Sequence, residues 1–178
     1  TNQSPLTKLP GNNQIEKFIA NSFRNIQINT THIIYFDFND FKPFNDIYGF
    51  RQGDRAILIF SELLQKRYPK NSFIAHIGGD DFFVGLTDFT FEDVFELTLD
   101  IQNEFKYSAK NLYSNKDKEL GYIVSKDRFG TTRNFNLLSV SCAIVEINCK
   151  SNILNFDDTL NIMKKESKSS KEPVYKVL

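Results

Sequence analysis

The chain has 178 residues, with 22 Lys and Arg balanced by 22 Asp and Glu, and no run of apolar residues as long as a membrane span. The balance argues against a general affinity for nucleic acid or anionic lipid, so any attraction for phosphate has to be local. No repeat, Pro/Gly-rich linker or low-complexity tract divides the chain, and residues 1–178 read as one domain able to bury a core.

After Pro10-Gly11-Asn12, residues 14–24 place Ile15, Phe18, Ile19 and Phe23 at helical spacing. The run Thr31-His32-Ile33-Ile34-Tyr35-Phe36 is mostly apolar, β-branched and aromatic, as in a buried central strand, and leads straight into Asp37. An open α/β sheet presents its ligand groups at the carboxyl ends of its strands, so Asp37 marks a candidate site. Residues 53–68 predict a helix with Ala56, Phe60, Leu63 and Leu64 as its buried stripe and Pro69 just past its end. Residues 72–77 and 82–86 are β-type and flank Gly78-Gly79-Asp80-Asp81, a hairpin tip that brings carboxylates and bare backbone up to a charged ligand.

A third helical face follows in Phe91, Val94, Phe95, Thr98, Ile101 and Phe105. Within 111–136, Gly121-Tyr122-Ile123-Val124 and Arg128-Phe129-Gly130 suggest an added hairpin, read as a surface excursion or a partner-docking element. Residues 137–147 read as a strand, Asn155 or Asp157 as the cap of a helix running through Met163, and residues 174–177 as a short last strand. His32 and His76 read as packed strand residues, and Cys142 and Cys149 as reduced thiols of a cytoplasmic protein. The start, Thr1 to Ser4, has no signal-peptide pattern, and the missing initiator Met suggests a domain excised from a longer chain.

Asp37 and Asp80 at neighbouring sheet positions, with glycines beside one of them, suit a Mg²⁺-nucleotide site. Mg²⁺ takes hard oxygens, usually one or two carboxylates, and leaves its other positions to water and phosphate. The alternative is that Asp37, Asp40 and Asp46 are solvated turn residues.

Taken together, Asp37, Phe41-Lys42, Asn45-Asp46, Gly49 through Gly53-Asp54, and Gly78-Gly79-Asp80-Asp81-Phe82 resemble in order and spacing the GGDEF family, the diguanylate cyclases. Leu6-Thr7-Lys8-Leu9-Pro10 is similar to that family's opening motif, and Ser141-Cys142-Ala143-Ile144 to its late core strand. The resemblance implies an α/β (α+β) fold: a ferredoxin-like mixed sheet flanked by helices, a nucleotidyl-cyclase-like core with the added hairpin. It implies condensation of two GTP molecules into cyclic di-GMP and pyrophosphate, by attack of a ribose 3′-hydroxyl on an α-phosphate. Mg²⁺, or Mn²⁺, would be held by Asp37, Asp80 and the backbone carbonyl of Phe38, and Asp80 would also assist deprotonation of the hydroxyl. Asp81 would be the second catalytic acid, one methylene shorter than the family's usual Glu. Asn45 and Asp54 match the guanine-reading positions. Backbone at Asp40, Phe41 and Gly79, with Lys42, Lys164 and Lys168, would meet the phosphates.

The implied partners are GTP, a second copy of the domain for catalysis, and fused sensory or phosphodiesterase domains, with no nucleic acid and no membrane contact by this domain. The alternative is a catalytically weak GTP-binding regulatory module of a cyclic di-GMP signalling protein. Departures from the family pattern are Ser4 for Asp, Asn39 for a common Asp, Phe50 for His, His76 for Arg, Ala143 for Gly and Lys168 for Arg. The family's Arg-x-x-Asp product-inhibition site falls on Pro69 and Ser72, which supply neither charge.

Overall fold

The computed structural model describes residues 3–178; Thr1 and Asn2, part of the stretch read above for a signal pattern, lie outside the described residues. In chain order the elements are α1 (Asn12–Arg24), β1 (Thr31–Asn39), α2 (Phe41–Tyr48), α3 (Phe50–Arg67), β2 (Phe73–Gly78), β3 (Asp81–Thr87) and α4 (Phe91–Ala109). There follow α5 (Asn115–Leu120), β4 (Tyr122–Lys126), β5 (Thr132–Asn136), β6 (Ser139–Ile147), α6 (Phe156–Ser167) and β7 (Val174–Val177).

β1 lies at the centre of a five-stranded sheet ordered β2-β3-β1-β6-β7. The first four strands pair antiparallel in the ferredoxin-like order, and β7 adds to β6 in parallel, which makes the sheet mixed. Because side chains alternate along a strand, β1 serves two cores. Ile34, Phe36 and Phe38 pack with Phe60 and Leu64 of α3 and Ile101 and Phe105 of α4. Ile33 packs on the other face with Ile15 of α1 and Phe156, Leu160 and Met163 of α6. Tyr35 and Asp37 project to this second face, so β1 carries Asp37 out of the sheet on the side that α6 covers.

The structure departs from the sequence expectation in three places. Residues 41–48, for which the sequence named no element, form α2, so Asp46 is helical and not in a turn, and α3 begins three residues before Gly53. Pro43 is tolerated because it sits in the first turn of α2, where backbone N–H groups have no intrahelical partner, and Gly49 at φ 89° breaks α2 from α3. The second arm of the added hairpin is Thr132–Asn136; Arg128-Phe129-Gly130 lies in the turn, where the Asp127 carboxylate accepts from the N–H groups of Phe129 and Thr131. Asn155 stands at the N-cap of α6 without a side-chain capping bond, and α6 runs one turn beyond Met163, to Ser167.

The 111–136 segment is not a loose excursion. The Tyr48 hydroxyl of α2 bonds Asp117 and accepts from the Ser114 N–H at 3.0 Å. Ile123 is buried in the main core, and the Tyr113 hydroxyl accepts from the Leu138 N–H at 2.8 Å. The insertion therefore props the helix that carries Asn45.

Candidate active site

Asp37 is the third-last residue of β1, and the β1–β3 register sets it directly opposite Asp81. The β2–β3 hairpin closes through the two-residue link Gly79-Asp80, with Gly79 at φ 52° and open space where its Cβ would stand. Glycine is thus required there by backbone conformation, not by packing against this chain. The Phe38 N–H donates to the Asp80 carbonyl at 3.2 Å, tying the end of β1 to the tip. One carboxylate oxygen from each of Asp37, Asp80 and Asp81 can be chosen so that all lie within 4.8 Å of one another. The structure therefore brings together the acids that sequence placed far apart along the chain.

Crowding three carboxylates has an electrostatic consequence. Burial, then the neighbouring Asp37, push the Asp80 carboxyl up from its ordinary value. Asp81 is pushed up to about 7, first by burial, then by its hydrogen bond to Asp37 and the charges of Asp37 and Asp80. The Tyr35 hydroxyl donates to Asp81 in the opposite sense. Burial and the three acids push the Tyr35 phenol up in turn, so it stays protonated as a donor. Sequence reasoning missed Tyr35; its signal was the period-2 spacing to Asp37, which puts both on one face.

The cations come from the end of α6. Lys168 Nζ lies 2.7 Å from Asp37 Oδ2, 3.0 Å from the Phe38 carbonyl oxygen and 3.1 Å from Asn39 Oδ1. Lys164 Nζ stands 3.7 Å over the centroid of the Tyr35 ring, a cation–π contact, and burial lowers its pKa against the opposing pull of Asp81, Asp37 and Asp157. Lys42 points elsewhere, pairing with Asp46 one helical turn on at 2.8 Å, an exposed pair of small energetic weight. Asp40 joins β1 to α2 at φ 60°, a left-handed conformation that is uncommon for a non-glycine residue and orients the start of α2. The Phe41 ring packs edge-on against Phe38 at 5.2 Å.

Asn45 on α2 lies against Gly53 of α3, the residue before Asp54. A Cβ on Gly53 would lie 2.0 Å from Asn45 Oδ1 and 3.3 Å from Phe41 Cζ, so the close approach of the two helices needs this glycine. Asn45 Oδ1 is buried with no hydrogen-bond partner, and Asp54 is exposed. A buried acceptor left unpaired is costly, so this carbonyl oxygen is able to take a donor.

Two departures from the family pattern turn out to touch. His76 Nε2–H donates to the Gly79 carbonyl at 2.8 Å, and its Nδ1 meets the hydroxyls of Ser4 at 2.7 Å and Thr7 at 3.2 Å. Its ring stacks on Phe82 at 4.5 Å. His76 is a packed strand residue as expected, and it also ties the opening segment to the glycine tip. Where the inhibitory motif would lie, Pro69 and Ser72 form the turn before β2, and nearby Arg67 is paired with Glu104 at 2.8 Å and Asp100 at 3.9 Å.

A carboxyl whose folded value lies above its unfolded 3.8 keeps a proton that the unfolded chain has lost, so stability is present below that window and is lost as pH rises through it. For Asp81 the window runs from about pH 4 to about pH 7. Asp81→Asn, which mimics the protonated form, should raise the melting temperature of the metal-free protein at about pH 8 and change it little at about pH 4, the lower edge of that window. An equal effect at both values would rule out the crowded-acid arrangement.

Comparison with known sequences decides the family. The sequence model described as "Diguanylate cyclase, GGDEF domain" matches residues 1–127. The chain belongs to the GGDEF family. The signaling protein YkoW of Bacillus subtilis is 36% identical over 70 residues, which are 39% of this chain and 9% of that protein. Cyclic di-GMP phosphodiesterase PdeR of Escherichia coli is 29% identical over 83 residues, 47% of this chain and 13% of that protein. The chain thus spans a small part of the length of the curated relatives it matches. Among solved structures, the GGDEF domain of DgcB from Caulobacter crescentus, in complex with c-di-GMP, superposes with a TM-score of 0.74 over 99% of this chain and 95% of that one, at 17% identity. The FimX GGDEF domain from Pseudomonas aeruginosa gives 0.68, covering 99% of each chain at 10% identity. At such identities these matches establish the fold. Lys164 and Lys168 lie beyond the part of the chain that the GGDEF sequence model matches. Among the described residues no helix is long and apolar enough to cross a membrane.

Proposed function

We propose that this GGDEF domain is a diguanylate cyclase. The observation that carries the reading is the convergence of Asp37, Asp80 and Asp81 on one point at the glycine tip, with a cation from α6 already seated against them. The 3′-hydroxyl oxygen of one GTP would bond to the α-phosphorus of the other, the bond to pyrophosphate would break, and the hydroxyl proton would pass to an acid at the tip. Such a reaction asks the protein mainly for positioning and charge neutralisation.

The donor set fits a hard divalent cation: carboxylates of Asp37 and Asp80 with the Phe38 carbonyl, and an ammonium standing where positive charge is needed. Mg²⁺ or Mn²⁺ held there would neutralise phosphate charge and lower the pKa of a bound hydroxyl. Of the two tip acids, Asp81 has the proton affinity nearest neutrality and a Tyr35 donor to fix its orientation, so it shares the acid–base role with Asp80. Asn45 Oδ1 and the Asp54 carboxylate would accept from the N–H groups of guanine, which adenine cannot offer in the same pattern. Backbone at Asp40, Phe41 and Gly79, with Lys164 and a re-aimed Lys42, would meet the phosphates.

One fold offers one such nucleotide site, and the product needs two nucleotides, so turnover calls for two copies face to face. The domain would serve inside a longer cytoplasmic signalling protein with sensory or phosphodiesterase partners. A regulatory GTP sensor is the second reading, favoured by the shortened reach of Asp81 and by the similarity to a phosphodiesterase.

Incubation of the purified domain with GTP and Mg²⁺ separates the two readings. Cyclic di-GMP release supports the enzyme, and saturable GTP binding without product supports the sensor. The same preparation tests feedback: with Pro69 and Ser72 uncharged and Arg67 committed to Glu104, added cyclic di-GMP should leave the initial rate unchanged. Inhibition that excess GTP does not relieve would show a product site there after all.

A further inference from the structure

We propose that Lys168 is the resident cation of the metal-free site: its ammonium holds the Asp37 donor set in place and must leave when a divalent metal enters. The inference rests on the metal-site reading above and extends it to a residue otherwise assigned to phosphate.

An ammonium has three N–H donors and no acceptor. Lys168 Nζ turns to one small group of oxygens: it forms an ion pair with Asp37 Oδ2 at 2.7 Å and donates to the Phe38 carbonyl at 3.0 Å and Asn39 Oδ1 at 3.1 Å. The first two belong to the residues that would hold the metal. The third is fixed in orientation, since a lysine can only donate. Asn39 Oδ1 also accepts from the Ser141 hydroxyl at 2.7 Å, and its Nδ2 donates to the Ser139 hydroxyl at 2.9 Å. Asn39 is thus held by bonds to both its oxygen and its nitrogen.

The contact joins two positions where this chain departs from the family, Asn39 and Lys168. A compact ammonium can sit at the meeting point of three converging oxygens, whereas the planar fork of an arginine directs its donors outward in one plane. A neutral amide at 39 supplies the third oxygen without a further charge beside Asp37, Asp80 and Asp81.

Mg²⁺ draws its oxygen ligands closer than an ammonium does. The ammonium and the metal cannot both be served by the Asp37 oxygen and the Phe38 carbonyl at close range, because their like charges repel. Lys168 is thus a positioning residue that keeps the carboxylate and carbonyl aimed inward and makes metal alone a poor ligand. Metal arriving with a nucleotide brings phosphate oxygens, which give the displaced ammonium a new anionic partner within reach of the α6 terminus. Metal and nucleotide entry are coupled through this one side chain.

The test is Mn²⁺ binding to nucleotide-free protein, read by the electron paramagnetic resonance of free Mn²⁺. Lys168→Met, which keeps the stem and removes the charge, should bind Mn²⁺ at least about tenfold more tightly than the wild type. Its melting temperature in chelator should be lower, and Mn²⁺ should raise it by more. In the wild type, the ammonium resonance of Lys168 should be protected from exchange in chelator and lose that protection on adding Mg²⁺, which reads the same displacement without any variant. Unchanged or weaker Mn²⁺ affinity in folded Lys168→Met, or an ammonium resonance indifferent to Mg²⁺, would overturn the proposal. Asp37→Asn separates this failure from that of the metal site: Mn²⁺ affinity unaffected by that change would put the metal elsewhere and sink both.

Discussion

Asp80→Asn is expected to abolish cyclic di-GMP synthesis while leaving the fold intact or slightly firmer. The carboxylate would be lost from the set that would hold the metal, and with the metal would go the neutralisation of phosphate charge, an electrostatic loss of about 10²- to 10³-fold or more in rate. The structural bond at this residue is made by its main chain, the Phe38 N–H to the Asp80 carbonyl, which an amide side chain leaves alone. Burial and the adjacent Asp37 already disfavour the charged form, so a neutral isostere relieves repulsion in the metal-free protein. Product chromatography beside a thermal melt reads both halves. Undiminished synthesis would falsify the metal assignment, and a collapse of the melting temperature would make Asp80 a folding residue.

Much of this arrangement was legible because its signals are local. The strand into Asp37, the glycine tip and the apolar faces of α1, α3 and α4 each declare themselves within a few residues through periodicity or backbone freedom. α2 did not, since Pro43 and the acidic residues around it look like a turn, and only the first-turn exemption of proline lets the helix form. The pairing of Asp37 with Asp81 depends on strand register, which no spacing along the chain encodes. The meeting of Lys168 with Asp37 depends on one more turn of α6 than its apolar stripe requires. His76 with Ser4, and Asn39 with Lys168, looked like separate blemishes in the sequence. Folding makes each a mutually satisfied pair, so the departures are compensated in space and not along the chain.

The site also depends on a core residue that carries none of its polar groups. Phe60 of α3 is fully buried, and its ring meets Phe36 at 5.1 Å, Phe38 at 5.6 Å, Phe82 at 5.1 Å and Phe105 at 5.0 Å, all edge-on. Phe36 and Phe38 bracket Asp37 on β1, and Phe82 follows Asp81 on β3, so the two strand ends that present the acids rest on this one ring. Phe60→Ala should cost about 3–5 kcal/mol, from lost burial, lost aromatic contacts and the cavity left behind. Against a total of about 5–15 kcal/mol for a domain, that is a large share. Phe50→Ala is the matched control: Phe50 is 79% exposed at the start of the same helix, and its loss should change stability by no more than about 0.5 kcal/mol. Urea melts of the two variants give the comparison. If Phe60→Ala proved as mild as Phe50→Ala, the strand ends would be held by something other than this aromatic cluster. If it is as costly as expected, Mn²⁺ affinity should fall with it, because the Phe38 carbonyl and the Asp37 carboxylate keep their spacing only while Phe36 and Phe38 have a ring to lie against.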